Sequence, residues 1–97
     1  MKTKVIFRKY RDGDILALFP ELPADIYGHN CESYQHIGQH GAASTALTAV
    51  HTVKATPEEY ADLHAELTAI GYDLQVCHRR TQAMDKARYA SAARALK

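Results

Sequence analysis

The chain of 97 residues carries 12 Lys and Arg against 11 Asp and Glu, a net charge of +1, and is 46% hydrophobic and 24% charged. That length and composition fit one globular domain and exclude a disordered tail. Its longest apolar run, Ile15 to Phe19, falls far short of the ~18 residues of a membrane-spanning helix.

Met1-Lys2-Thr3-Lys4 opens no apolar signal segment, so the expectation is a cytoplasmic protein with no membrane partner. In that compartment Cys31 and Cys77 are expected as free thiols that behave as small apolar groups. The near-zero net charge is unevenly laid out. Residues 1–11 sum to +5, residues 12–73 to −9 and residues 74–97 to +5. Either these blocks neutralise one another in the fold, or the two basic ends meet on one face.

Val5 to Tyr10 reads as a strand, rich in β-branched and aromatic residues. Asp12-Gly13 is a two-residue hairpin signal, and Ile15 to Phe19 is the return strand, ended by Pro20. A turn at Asp12-Gly13 pairs Arg8 with Ala17, Phe7 with Leu18 and Ile6 with Phe19. One hairpin face then carries Val5, Phe7, Leu16 and Leu18, and the other Ile6, Tyr10, Ile15 and Phe19. A hairpin apolar on both faces needs covering on both, by a second helix or by a partner subunit in a homodimer.

Residues 20–30 have loop chemistry. Two further strands are expected, Glu32 to Ile37 and Leu47 to Lys54, with Gly38 to Ala46 as their connection. The alternation Thr48, Val50, Thr52 supports the second. Thr56-Pro57-Glu58-Glu59 is a capping box with proline at the first helical position. Tyr60, Leu63, His64, Leu67 and Ile70 recur at helical spacing, and Gly71 supplies the left-handed stop. The cap is worth about 1 kcal/mol and each buried large side chain roughly 1.5–3 kcal/mol, so burial holds this helix in place. Leu74 to His78 is a last strand, and residues 82–96 form an Ala-rich helix whose Met84, Tyr89 and Leu96 make no firm stripe.

Four metal-competent side chains cluster in the sequence: His29, Cys31, His36 and His40. His36-x-x-x-His40 matches half of a zinc site, but residues four apart on a strand lie about 13 Å apart, too far to share an ion. Cys77 and His78 point to opposite faces of their strand and form no dyad. The segment Ser33 to Gly41 crowds polar and aromatic residues into a Gly-bounded stretch. It singles out Tyr34, His36, Gln39 and His40 as candidate binding residues, or else as a hydrogen-bonding network around Gln39 and His40. No catalytic residue, metal ligand set or cofactor is assigned. The basic ends offer a nucleic-acid footprint of Lys2, Lys4, Arg8, Arg79, Arg80, Arg88 and Arg94, with Tyr10 and Tyr89 as stacking residues.

Two resemblances add to this. Residues 12–23, DGDILALFPELP, resemble the opening hairpin of HicB-type antitoxins, although Ala24-Asp25 stands where that family continues with Gly-Cys. ALFPELP (17–23), SYQHIGQHG (33–41) and EEYADLHAELTAIGYDL (58–74) together resemble a family of small uncharacterised proteins of bacteria, phages and mobile elements. That resemblance implies a compact α+β domain in a cytoplasmic setting and no nameable activity.

The expected architecture is a single α+β domain. It holds a mostly antiparallel sheet of about five strands, the 57–70 helix on one face, and a C-terminal helix (within 81–97) or a partner subunit on the other. The expected function is non-catalytic binding of a protein partner, as in a phage or mobile-element inhibitor of a host protein. The alternatives are a nucleic-acid-binding module and a metal-dependent enzyme centred on Cys31, His36 and His40.

Overall fold

The computed structural model describes residues 2–36 and 39–96. Its elements are β1 (Thr3–Lys9), β2 (Ile15–Pro23), β3 (Cys31–Gln35), β4 (Gln39–Ala43), α1 (Thr45–His51), β5 (Val53–Lys54), α2 (Pro57–Ile70), β6 (Leu74–Cys77) and α3 (Gln82–Ala95). The first four strands form an antiparallel meander in the order β4-β3-β2-β1. The outer edge of β1 is shared. β6 pairs parallel with Thr3 to Ile6, and β5 pairs antiparallel with Arg8 and Lys9. The fold is therefore α+β with a mostly antiparallel sheet, as expected, enlarged by a sixth strand and a third helix.

The hairpin between β1 and β2 differs from the expected register by one residue. Ile6 pairs with Leu18, Phe7 with Ala17 and Arg8 with Leu16. The cause lies in the turn. Tyr10 N–H donates to the Asp14 carbonyl at 2.9 Å and Gly13 N–H to the Tyr10 carbonyl at 2.9 Å, so the loop has three residues, with Gly13 at φ +98°. A three-residue loop needs only one left-handed position, and glycine supplies it. The slip moves every β2 side chain to the opposite face. Val5, Phe7, Ala17, Phe19 and Tyr34 now share the α2 side, packed on Leu63 and Leu67. Ile6, Leu16, Leu18 and Cys31 share the other side and pack on Met84 of α3. Both faces are thus covered within one chain, which removes the physical need for a partner subunit there.

α2 forms as its sequence dictates. Thr56 Oγ1 accepts from Glu59 N–H at 3.3 Å, Glu59 Oε1 accepts from Thr56 N–H at 2.9 Å, and Gly71 closes the helix at φ +128°. Tyr60 stacks on Phe7 at 4.3 Å and Tyr72 on Phe19 at 4.9 Å. Ile70, expected on the buried face, is 52% exposed, and Tyr72 just beyond the helix packs on the core instead.

Two other expectations are corrected. Pro20 does not end β2. The strand runs on to Pro23 through an irregularity between Phe19 and Pro23, where an irregular strand tolerates prolines that cannot donate to a ladder. Leu47 to Lys54 is not a strand. Ser44 caps a helix over Thr45–His51, its side chain accepting from Leu47 N–H, and the strand of this segment is only Val53–Lys54. The supposed connection holds β4, paired with β3 from Gln35–Gln39 to Cys31–Ala43. Ile37 and Gly38 lie outside the described residues.

α3 has a firm stripe after all. Met84, Arg88 and Ala92 are buried at a spacing of four, which the sequence hides because the middle residue is an arginine.

Candidate functional site

Of the four candidate binding residues, three come together. Tyr34 is buried in β3 and its hydroxyl donates to the Glu66 carboxylate of α2. The same carboxylate lies 2.5 Å from His36 Nδ1. Tyr34 also pairs across the ladder with His40, ring centroids 4.7 Å apart and edge to face. Gln39 sits opposite Gln35 and is exposed, as is His40, so the polar network centres on Glu66 and not on Gln39 and His40. Sequence reasoning missed Glu66 because no local spacing ties α2 to β3.

Chemically this is a carboxylate that orients an imidazole whose side chain is 76% exposed. Cys31 cannot complete a reactive site with it. It lies on the α3 side of the sheet, whereas Tyr34 packs on the α2 side. Burial, opposed only in part by Arg88, pushes the Cys31 thiol up to about 11, so the nucleophilic thiolate is scarce at neutral pH. His29 is elsewhere again, with ring contacts to Tyr27 and Tyr89. Among the described residues no three His, Cys, Asp or Glu side chains form a group that could hold a metal ion.

The seven cations singled out from the sequence divide into three kinds. Arg88 is structural, only 2% exposed. Its Nε donates to the Gly28 carbonyl at 2.7 Å, and Nη1 to the Pro20 carbonyl at 2.8 Å and Asp85 at 3.0 Å. It is no nucleic-acid contact, because all its reach is directed into the fold. Lys2 and Lys4 pair with Asp73 and Glu21, and with Arg94 they line a cleft into which Glu21 also faces. Arg8, Arg79 and Arg80 line a second cleft, between α1 and the sheet, floored by Ile6, Leu18 and Ala49. Their convergence follows from topology: β6 ends beside Ile6, which delivers Arg79 and Arg80 next to Arg8.

One feature of this side was not foreseen. α1 turns Thr45 and Thr48 inward, with Thr52 buried at its C-cap, and leaves Leu47 61% and Val50 77% exposed. Val53, 58% exposed, shares a groove with Val50, Tyr10 and Arg11. The inward threonines are satisfied locally. Thr52 Oγ1 donates to the Thr48 carbonyl at 2.5 Å and accepts from Arg8 Nε at 2.9 Å. α1 and β5 contain no acid, and none lines either flanking groove. Leu47 and Val50 share a face only because Thr45–His51 is helical, and Val53 follows them in β5.

Comparison with known proteins returns no match: no family model fits the chain, and no curated protein or solved structure is significantly similar to it.

Proposed function

We propose that this protein is a non-catalytic binding domain that acts through protein–protein contacts in the cytosol, with α1 and β5 as its docking surface. The inverted helix carries this reading: threonines face the sheet, whereas Leu47 and Val50, one turn apart, face water. Large aliphatic side chains held in solvent on an ordered element mark an interaction site, especially where polar groups rim them. The rim here is cationic, with Arg8, Arg79 and Arg80 on one side of α1 and Arg11 on the other. An acidic, amphipathic segment of a partner protein is the matching chemistry. A small accessory protein of a phage or mobile element acting on a host protein fits this description.

The ridge suits protein better than nucleic acid. Its exposed side chains Leu47, Val50 and Val53 are aliphatic, and Lys2, Lys4 and Arg88 are engaged within the fold. The Tyr34–His36–Glu66 group supports no second reading, because Cys31 lies on the other face of the sheet and no thiol among the described residues accompanies it.

The test is a photo-crosslinking residue at Val50, with one at exposed Ala69 on α2 as the control, in the producing cell. A protein adduct specific to position 50 is expected. The purified partner, titrated calorimetrically, loses about tenfold or more in affinity for Val50→Asp. Equal affinity for both forms overturns the docking surface. A gel shift with nucleic acid that is indifferent to Val50→Asp replaces it with the nucleic-acid reading.

A further inference from the structure

Three of the six arginines, Arg8, Arg79 and Arg80, meet in one cleft of about 90 Å³ beside α1. Two of them are held in place. Arg8 donates from Nε to Thr52 Oγ1 and from Nη2 to the carbonyls of Thr52 at 2.8 Å and Ala49 at 3.2 Å. Arg80 Nη1 donates to Thr45 Oγ1 at 3.3 Å, and its Nε lies 3.7 Å from Asp85. Asp85 is shared with Arg88, so it does not neutralise the cluster. Arg79 has no hydrogen-bond or ion-pair partner among the described residues, and its neighbour Arg80 is 44% exposed. The rest of the lining, Ile6, Leu18, Ala49 and Thr45, is apolar but for the Thr45 hydroxyl, which accepts from Arg80.

Positive charge over an apolar floor selects an anion with a hydrocarbon stem. Guanidinium groups bind carboxylate and phosphate alike through paired N–H donors, so the size and setting of the cleft decide between them. Its volume suits one side-chain head group. Toward the far end of α3 no cationic track leads from it among the described residues, because the cleft there includes Glu21 and pairs Lys2 and Lys4 with acids. A phosphodiester backbone needs such a track; a single acidic side chain does not.

We propose that the Arg8–Arg79–Arg80 cleft is a carboxylate pocket that receives an Asp or Glu side chain of the partner segment lying along Leu47 and Val50, an inference that rests on the reading of α1 as the docking surface. The pocket sets the register of that segment, and the ridge contributes its apolar contact.

The test titrates the full, isotope-labelled chain with isovalerate, a carboxylate on a branched aliphatic stem, and in parallel with inorganic phosphate and isoamyl alcohol. The arginine Nε–Hε signals are followed. Saturable shifts at Arg8, Arg79 and Arg80 are expected with isovalerate in the millimolar range, none with the alcohol, and at least a tenfold weakening in Arg79→Gln/Arg80→Gln. Backbone spectra of that variant, unchanged away from the cleft, exclude misfolding as the cause. A tighter saturable response to phosphate overturns the carboxylate assignment, and no saturable response to either anion overturns the pocket. Leu47→Ser/Val50→Ser separates the two readings. If it leaves both partner affinity and the isovalerate response intact, the ridge reading fails and the pocket stands. If it abolishes partner binding while wild type ignores isovalerate, the ridge stands and the pocket fails.

Discussion

Arg88 shows how one residue type can hide a structural role. Read as a surface cation, it is the pin that ties α3 to β2 through the Pro20 carbonyl and to the β2–β3 loop through the Gly28 carbonyl, with Asp85 beside it. Gly28 makes this approach feasible. At φ +78°, it lies where an added Cβ would come within 3.1 Å of Ala92 Cβ and 3.2 Å of the Arg88 carbonyl. Removing one partner of a buried pair leaves unpaired charge and carbonyls behind, so Arg88→Ala is expected to cost about 3 kcal/mol or more in urea unfolding. The loop has its own carboxylate. Desolvation pushes Asp25 up, but backbone N–H groups of Asn30, His29 and Gly28 outweigh it and hold Asp25 below the usual range. Glu59 is shifted further. The hydrogen bond from Lys9, aided by Thr56, holds its carboxyl down to about 2. A carboxyl depressed in the folded state stabilises at neutral pH, and that contribution is lost as pH falls from about 4.5 to 2. In acid unfolding followed by circular dichroism, Glu59→Gln is expected to flatten the pH dependence over that window.

At the scale of elements, the legible ones carry their signals within a few residues. The capping box, proline and Gly71 of α2 are all local, and the helix spans 57–70 as read. The β1–β2 hairpin was recognised from Asp12-Gly13, but its register was not, because the same dipeptide serves a two-residue or a three-residue loop. Gly13→Ala should cost about 1 kcal/mol in thermal or urea unfolding, since an L residue pays that much at positive φ with no contact to offset it. α1 is hidden in the sequence for a different reason. Thr48, Val50 and Thr52 alternate like a strand, yet Thr45, Thr48 and Thr52 also fall on one helical face, and Ser44 caps that helix. Of the candidate site, Tyr34, His36 and His40 were legible as a crowded segment. Glu66, which joins Tyr34 to His36, was not, because it comes from an element thirty residues away.

For the whole molecule, the charge blocks partly neutralise and partly separate: Lys2, Lys4 and Lys9 of the N-terminal block pair with Asp73, Glu21 and Glu59 of the acidic middle. α2 carries Glu58, Glu59, Asp62 and Glu66 without a Lys or Arg, and covers one face of the sheet. Arg79, Arg80 and the basic α3 gather on the other, beside the acid-free α1. α3 also closes the second core, so truncation after Thr81 is expected to expose Ile6, Leu16 and Leu18. Measured by dye binding and size-exclusion chromatography, that form should bind hydrophobic dye and aggregate. The sequence by itself determined the α+β class, the need for cover on both hairpin faces, α2 with its caps, and the segregation of charge. These rest on composition and on neighbours within about one helical turn. Only the tertiary structure decided which face each β2 side chain takes, that Arg88 points inward, and that Leu47 and Val50 point out. Those outcomes depend on strand register and on where the chain crosses the sheet, and both are set by contacts between residues distant in sequence.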